Sequence, residues 1–152
     1  MSWWLHYKDR KTGEILKVER FEEGGTYPVG GLDIAEVNIT YNYGKYFPFG
    51  RLNKKTGKEA LRLINRFIKR IEDKSICPWC NKKLIRDPDR FLYYCPNTKR
   101  FKNSGCPFQE TDLERELGES DYWHPTRENV LRVLKLLKSW FGKNPNGIVE
   151  IH

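Results

Sequence analysis

The sequence is poor in the residues on which many enzymes and membrane proteins depend. Among its 152 residues are three histidines, one methionine and a 38% apolar share. No segment approaches the run of about 20 apolar residues that a membrane-spanning helix needs. The N-terminus has no basic lead and too short an apolar run for a secretory signal peptide. We therefore expect a cytoplasmic protein without a membrane partner.

Familiar arrangements of catalytic groups are also missing. His6, His124 and His152 have no neighbours in sequence of the metal-ligand or Ser-His-Asp type. The glycine pairs at 24–25 and 30–31 precede a strand, without the lysine and helix that a phosphate-binding loop requires. The sequence thus predicts a binding protein rather than an enzyme.

The aromatic residues that are present can supply one modest core. Trp, Tyr and Phe make up 14% of the chain, and each such side chain buries about 150–250 Å². The length is near the usual size of one domain. A single globular domain with one small satellite unit is expected.

The hydrophobic pattern predicts an α+β fold, a small antiparallel sheet packed against two helices. A β-hairpin is expected over residues 3–21, with its turn at residues 9–13. Apolar and polar residues alternate over residues 35–43, as in a strand with one buried face. Residues 148–151 read as a last short strand.

Two helices follow from their caps and apolar stripes. Thr56 and Glu59 fit a capping box, so the first helix begins at Thr56. The second runs from about Thr126 to Phe141, with Gly142 as a C-terminal stop. The predicted buried residues are Ala60, Ile64, Phe67, Ile68 and Ile71 in the first helix, and Val130, Val133, Leu134, Leu137, Trp140 and Phe141 in the second.

Four cysteines form the clearest motif. Cys77 and Cys80 make a C-x2-C knuckle, followed by Cys95 and Cys106. In a reducing compartment such cysteines are metal ligands more often than disulfides, and four thiolates suit one tetrahedral zinc ion. We expect one structural Zn²⁺, with a disulfide pair and an iron or redox site as alternatives. Short strands at residues 84–85 and 91–94 would connect the two halves of the site.

This segment resembles a known type of zinc module. The shared residues are Cys77-Pro78-Trp79-Cys80-Asn81, Leu84, Phe91-Leu92-Tyr93-Tyr94-Cys95 and Gly105-Cys106-Pro107-Phe108. Over residues 76–108 they are similar to the four-cysteine zinc ribbons of the topoisomerase C-terminal type. The resemblance implies contact with single-stranded DNA, although such ribbons also serve as structural staples. The gap between Cys95 and Cys106 is longer than usual, and it carries a basic tip of Lys99, Arg100 and Lys102.

The net charge of +8 is concentrated in the middle of the chain. Residues 34–75 carry +6 and residues 76–110 carry +4, whereas residues 1–33 and 111–152 carry −1 each. This asymmetry favours an anionic partner. Four cations recur at three- and four-residue steps on one face of the first helix, where they predict a phosphate-binding ridge; a solvated helix face is the alternative. They are Lys58, Arg62, Arg66 and Lys69.

A second resemblance covers two separate stretches. The first is Ala35-Glu36-Val37-Asn38-Ile39-Thr40-Tyr41-Asn42-Tyr43 with Thr56-Gly57-Lys58-Glu59-Ala60; the second is Asp121-Tyr122-Trp123-His124-Pro125-Thr126-Arg127-Glu128-Asn129 with Leu136-Leu137, Trp140 and Pro145-Asn146-Gly147. Together, over residues 35–60 and 121–147, they resemble a family of small uncharacterised phage and prophage proteins. The resemblance implies a bacterial or archaeal host and transfers no activity.

The split resemblance implies three parts of the chain. Residues 34–74 and 120–152 would form an α+β parent domain, residues 75–119 an inserted zinc ribbon, and residues 1–33 an N-terminal β-hairpin extension. Six polar and aromatic residues of the parent domain form a further candidate site. They are Asn38, Thr40, Asn42, Asp121, Trp123 and Asn129. In the alternative interpretation they are structural: Thr126 caps a helix, Trp123 lies in the core and the asparagines form hydrogen bonds at a sheet edge.

The sequence therefore predicts a non-catalytic phage-type accessory protein that binds an anionic partner, with nucleic acid first. The alternative is an inhibitor of a host defence system that binds a host protein or sequesters a nucleotide signal. A sequestering protein needs an enclosed pocket, whereas a nucleic-acid binder needs an open positive surface.

Overall fold

The computed structural model describes residues 1–21, 26–97 and 105–152. These residues form two antiparallel sheets and associated helices, which confirms the predicted α+β class. The strands are β1 Ser2–Lys8, β2 Tyr27–Pro28, β3 Glu36–Thr40, β4 Ile85–Asp87, β5 Leu92–Tyr94, β6 Gln109–Thr111 and β7 Ile148–Ile151. The α-helices are α1 Gly57–Glu72, α2 Asp112–Glu116 and α3 Arg127–Lys143, and 3-10 helices span Tyr41–Lys45 and Phe49–Leu52.

The larger sheet has the strand order β2-β3-β1-β7. In β1, Leu5 pairs with Val37 of β3 on one side and with Ile151 of β7 on the other. Side chains of a strand alternate between faces, so Leu5 and Tyr7 of β1 are fully buried while Trp4 is 45% exposed. One face of this sheet therefore belongs to the core and the other is polar.

The N-terminal segment differs from its predicted hairpin. The turn forms, since the Asp9 amide donates to the Glu14 carbonyl at 2.8 Å. The return strand does not, and residues 14–21 hold isolated bridges at Ile15 and Lys17. The reason is that β3 and β7 occupy both edges of β1. Residues 2–8 are thus a central strand of the parent sheet, whereas the sequence predicted an extension.

Local signals place both long helices. Thr56 accepts from the Glu59 amide at 3.2 Å and Glu59 accepts from the Thr56 amide at 3.2 Å, so the predicted capping box is confirmed. Thr126 caps α3 by accepting from the Asn129 amide. The two helices pack against each other, and all of their predicted apolar residues are buried. Helix α3 continues past Gly142 and ends at Lys143, one residue beyond the predicted stop.

The strand predicted over residues 35–43 ends early. The Thr40 hydroxyl accepts from the Asn42 amide at 3.3 Å and turns the chain into a 3-10 helix. The following aromatic segment then enters the core, with Tyr43, Tyr46, Phe47 and Phe49 fully buried.

The smaller sheet has the order β4-β5-β6 and carries the cysteines at its end. The predicted pair of short strands is confirmed as β4 and β5, while β6 and α2 were not predicted. Cys77, Cys95, Cys106 and Phe108 belong to the same buried cluster as the helices and the larger sheet. Among the described residues, no helix is both long and apolar enough to cross a membrane.

Candidate metal centre and nucleic-acid interface

The structure brings all four cysteines together. Their Sγ atoms lie within 4.8 Å of one another, and the Sγ atoms of Cys80 and Cys95 are 3.2 Å apart. A disulfide requires about 2.05 Å, so the thiols are free. Around a tetrahedral ion with metal–sulfur bonds of about 2.3 Å, sulfur atoms lie roughly 3.8 Å apart. The cluster therefore has the size to surround one metal ion.

Backbone geometry explains why the C-x2-C segment points its sulfurs inward. The Asn81 amide donates to the Cys77 carbonyl at 2.9 Å, and the Cys77 amide donates to the Lys82 carbonyl at 2.8 Å. Asn81 has a φ of 66°, a left-handed conformation that asparagine adopts more readily than most residues. The Trp79 amide donates to Cys77 Sγ at 3.4 Å, and such bonds stabilise negative charge on sulfur.

The electrostatics of the thiols depend on their burial. Burial raises the pKa of the Cys77 and Cys95 thiols, and it raises the pKa of Cys106 to about 12. Burial also opposes ionisation of Cys80, but hydrogen bonds from the Lys82 amide and neighbouring thiols leave its pKa lowered. A bound cation reverses this balance, because thiolate ligands bind metal in their deprotonated form.

Two side chains fix the knuckle to the rest of the protein. Arg70 of α1 donates to the Trp79 carbonyl at 3.0 Å and to the Pro78 carbonyl at 3.4 Å. The Trp79 indole donates to the Lys45 carbonyl at 2.8 Å, and its ring meets Phe67 edge-on with centroids 5.7 Å apart. Trp79 is therefore an anchor between the cysteine cluster and α1.

A buried charge network joins β6 to α3. Glu110 is fully buried and Arg127 is 2% exposed, and Nε of Arg127 lies 3.0 Å from Oε2 of Glu110. Arg115 also contacts Glu110, with Nε and Oε1 2.7 Å apart, and Tyr46 donates its hydroxyl to Glu110 at 2.7 Å. Sequence reasoning missed this network, because β6 is too short to show a hydrophobic period.

The predicted ridge forms one exposed row on α1. Lys58, Arg62, Arg66 and Lys69 are all exposed, and in the described part of the chain no acidic side chain forms an ion pair with them. Repulsion among like charges at these spacings costs a few tenths of a kcal/mol per pair. The predicted basic tip, Lys99, Arg100 and Lys102, lies outside the described residues.

The polar residues of the parent domain are only partly brought together. Asn42 donates to the Trp123 carbonyl at 2.8 Å, and Asn129 donates to the Asp121 carbonyl at 3.1 Å. Asn129 is fully buried, whereas Trp123 is 47% exposed rather than in the core. The amides therefore hold the loop before α3 in place.

The remaining two residues of this candidate site lie on the sheet. Asn38 sits in β3 opposite Trp4, and Thr40 caps the 3-10 helix that begins at Tyr41.

Two histidines meet on the polar face of the larger sheet, although nothing in their sequence neighbourhoods indicates this. The ring centroids of His6 and His152 are 5.8 Å apart. His6 Nδ1 lies 3.1 Å from Glu36, and His152 Nε2 lies 3.0 Å from Glu150. The pairing of β1 with both β3 and β7 creates the cluster, so only the sheet order would have revealed it.

The chain matches no protein-family model, no curated protein and no solved structure.

Proposed function

We propose that this protein is a non-catalytic, zinc-stabilised nucleic-acid-binding protein, an accessory protein of the phage or prophage type that its sequence resembles. The observation that carries this proposal is the row of Lys58, Arg62, Arg66 and Lys69, exposed and unpaired within the described residues. In this proposal a duplex or a single strand lies along the row, and its phosphates contact the four cationic side chains.

The dimensions of the row support phosphate binding. At about 1.5 Å of rise per residue, the distance along α1 from Lys58 to Lys69 is roughly 16 Å. Each strand of a duplex presents a phosphate about every 3.4 Å along its axis, so the row is long enough to contact four phosphates. Lysine and arginine contacts of this kind position the protein without reading the bases.

The donor set of the metal centre supports a structural zinc ion. Cys77, Cys80, Cys95 and Cys106 supply four sulfur ligands, and such closed sites leave no open position for a substrate. Arg70 donates to the Trp79 carbonyl, and the Trp79 ring packs against Phe67, so the knuckle is attached to α1. A metal bound by the cysteines would therefore hold the ribbon against the helix that carries the basic row. This closed donor set supports a structural rather than a catalytic role for the metal.

A mobility-shift titration across a salt series tests the proposal. Four phosphate contacts on duplex DNA give a log–log salt slope of about −3.6, and a smaller slope on single strands. The double variant Arg62→Glu/Arg66→Glu should weaken binding to all sequences alike. The matched control is Lys135→Glu/Lys138→Glu on α3, which makes the same change in net charge at two exposed residues outside the row. Lys135 also gives up its 3.8 Å ion pair with Glu72 in this control.

Two outcomes contradict the proposal. Equal weakening by the control variant would indicate a general charge effect rather than a specific row. Undetectable binding at low salt would remove nucleic acid as the partner and favour the inhibitor of a host defence system, acting on a host protein or a nucleotide signal.

A further inference from the structure

A cleft lies between the turn after β1 and the loop that follows α3. Its volume is about 820 Å³, within the range of about 300–1,000 Å³ typical of small-molecule sites. Two apolar side chains, Leu16 and Pro145, line it together with the amides of Asn144 and Asn146. A cleft of this volume has room for a ligand larger than inorganic phosphate.

The charged residues of the cleft make it positive. Arg10 and Lys11 come from the turn and Lys143 from the end of α3. Arg10 and Lys11 form no ion pair with any described residue, while Lys143 contacts the largely exposed Glu19 at 2.8 Å. Asp9 is the acidic residue in the described lining, and its carboxylate accepts from the amides of Lys11 and Thr12 at 2.8 and 3.0 Å.

Four carbonyl groups beside the cleft, one in the last turn of α3 and three in the loop that follows, already accept hydrogen bonds from the protein, which reduces their opposition to an anion. The end of a helix carries partial negative charge on its unpaired carbonyls. In this loop the donors come from the loop itself, from Tyr7 and from the first turn of α1. The pairs are Asn144 N–H to Trp140 O at 3.1 Å, Tyr7 O–H to Asn144 O, Lys58 N–H to Pro145 O at 3.0 Å and Gly57 N–H to Gly147 O at 3.1 Å.

A second depression continues the cleft along α3. Its volume is about 430 Å³, it shares Lys143 and Asn144 with the cleft, and it adds the exposed cations Lys17 and Arg20. The two together form a groove lined by five cations and two carboxylates, those of Asp9 and Glu19, so its net charge is positive. Such a groove has room and positive charge for a ligand that carries one or more phosphate groups.

We propose that this groove binds the phosphate groups of a nucleotide, with Arg10, Lys11 and Lys143 as the cationic contacts. The side-chain amide of the exposed Asn146 is placed to meet a polar edge of a base, while that of Asn144 already donates to the Trp140 carbonyl at 3.4 Å. The nucleotide is either free or the terminal nucleotide of a strand. The strand-end form rests on the proposed function, because Lys58 begins the basic row and its amide binds the loop that forms one wall of the cleft. The free-nucleotide form does not depend on that function.

Calorimetric titration of the full chain distinguishes the two sources. The free ligands are adenosine 5′-monophosphate, adenosine and inorganic phosphate. The strands are a 12-nucleotide DNA with a 5′-phosphate, the same DNA with hydroxyl groups at both ends, and a circular single strand. The test variant is Arg10→Glu/Lys11→Glu, and the control is Lys135→Glu/Lys138→Glu, which lies outside the groove.

Loss of two charge-assisted contacts should weaken phosphate-dependent binding by about tenfold or more. Binding of adenosine 5′-monophosphate but not adenosine, weakened only by the test variant, supports a free nucleotide. A preference for the 5′-phosphorylated strand over the hydroxyl and circular strands, lost in the same variant, supports a strand end.

Absence of any phosphate-dependent difference overturns the inference, even if all the strands bind through the row on α1. Binding of the free nucleotide with no binding of any strand would instead overturn the proposed function and leave the groove as a nucleotide site. The melting temperature of Arg10→Glu/Lys11→Glu should stay at that of the unmodified protein, since both side chains are exposed and form no ion pair with a described residue. The control also loses the exposed Lys135–Glu72 pair, which should lower its melting temperature only slightly.

Discussion

The carboxylate of Glu110 and the guanidinium of Arg127 form an ion pair closed off from solvent, with Oε2 and Nε 3.0 Å apart and exposed fractions of 0% and 2%. Glu110 lies in β6 of the cysteine-bearing sheet, and Arg127 is the first residue of α3. Arg127 also donates to the Ile71 carbonyl at the end of α1. One buried pair thus joins the cysteine-bearing sheet to both long helices.

Glu110→Ala should destabilise the protein strongly. The substitution leaves the Arg127 guanidinium buried without its main counter-charge, and removing one partner of such a pair costs about 3–5 kcal/mol. Urea denaturation followed by circular dichroism measures the loss. The matched control is Glu119→Ala, whose carboxylate pairs with Arg132 at 2.8 Å on the surface. Exposed pairs contribute about 0–1 kcal/mol, so similar losses in the two variants would contradict the argument.

A double variant separates the pair from simple packing. Glu110→Leu/Arg127→Met replaces both buried charges with apolar side chains and should lose less stability than Glu110→Ala alone, because the fully buried Arg127 charge is removed together with its partner. Arg115, which is 17% exposed, loses its contact with Glu110 in both variants, so that loss cancels in the comparison. A double variant that is less stable than the single variant would show that packing, rather than charge, dominates at this position.

The helices and their buried faces could be predicted from the sequence because the signals are local. Thr56 and Glu59 lie within one turn, and the apolar residues of α1 and α3 recur at helical spacing. Glu110 and Arg127 are 17 positions apart, and Glu110 lies in a strand of three residues. No periodic pattern in the sequence therefore predicts their pairing. The cysteine cluster could also be predicted from the sequence, because cysteine is rare in this chain and the C-x2-C spacing is typical of a metal site.

The errors at the N-terminus have a common physical cause. Residues 3–21 have the pattern of a hairpin, yet β1 pairs with two strands that are distant in sequence. Strand pairing depends on which apolar faces meet across the whole sheet. The same pairing brings His6 and His152 together, so neither the sheet order nor the histidine cluster was accessible to local reasoning.

Purified protein should contain one zinc ion per chain. Elemental analysis of the unmodified protein and of Cys106→Ser provides the comparison, and the variant should lose most of its zinc because one of four sulfur ligands is gone. Chelation should also lower the melting temperature, since metal binding of this kind contributes to folding. A metal-free protein, or a Cys95–Cys106 disulfide in fresh preparations, would contradict the assignment.

Arg70→Ala should speed the release of the metal to a chelator. Arg70 donates to the carbonyls of Pro78 and Trp79 and holds the knuckle against α1, so its loss loosens two residues between the first two ligands. Arg66→Ala is the control, since Arg66 is exposed on the same helix and contributes no such bond. Stopped-flow measurement with a colorimetric chelator gives both rates, and equal rates would indicate that the hydrogen bonds do not retain the metal.

Asn129→Ala and Asn42→Ala should show which residues of the parent-domain site are structural and which are available to bind a ligand. Asn129 is fully buried and donates to the carbonyls of Asp121 and His124 at 3.1 and 3.2 Å. Its loss leaves two partly buried carbonyls without this donor, at a cost of about 1–3 kcal/mol. Asn42 is exposed, and its side chain donates to the Trp123 carbonyl, so its substitution should cost less in thermal denaturation. Loss of ligand binding in Asn42→Ala with folding intact would locate a functional site there, and equal destabilisation would indicate scaffold at both positions.

Stability should depend on pH through His6. Burial lowers the pKa of His6 below its usual 6.5, and the positive charges of Lys8 and His152 lower it further. The nearby carboxylates of Glu36 and Glu150 raise this pKa but do not outweigh the burial. Between the lowered pKa of the folded protein and the usual 6.5, the unfolded chain therefore binds more protons than the folded protein. The free energy of unfolding rises with pH through this window, and the contribution of His6 is lost as pH falls to the folded pKa.

Urea denaturation from pH 5 to pH 8 tests this dependence. His6→Gln should flatten the rise, because glutamine does not titrate. Glu36→Gln removes the largest influence that raises the His6 pKa, so its window should extend to lower pH than in the unmodified protein. If His6→Gln keeps the full slope, other titrating groups determine the pH dependence, and the His6 argument is wrong. If Glu36→Gln shifts the window upward instead, the electrostatic contact between Glu36 and His6 has been assigned the wrong sign.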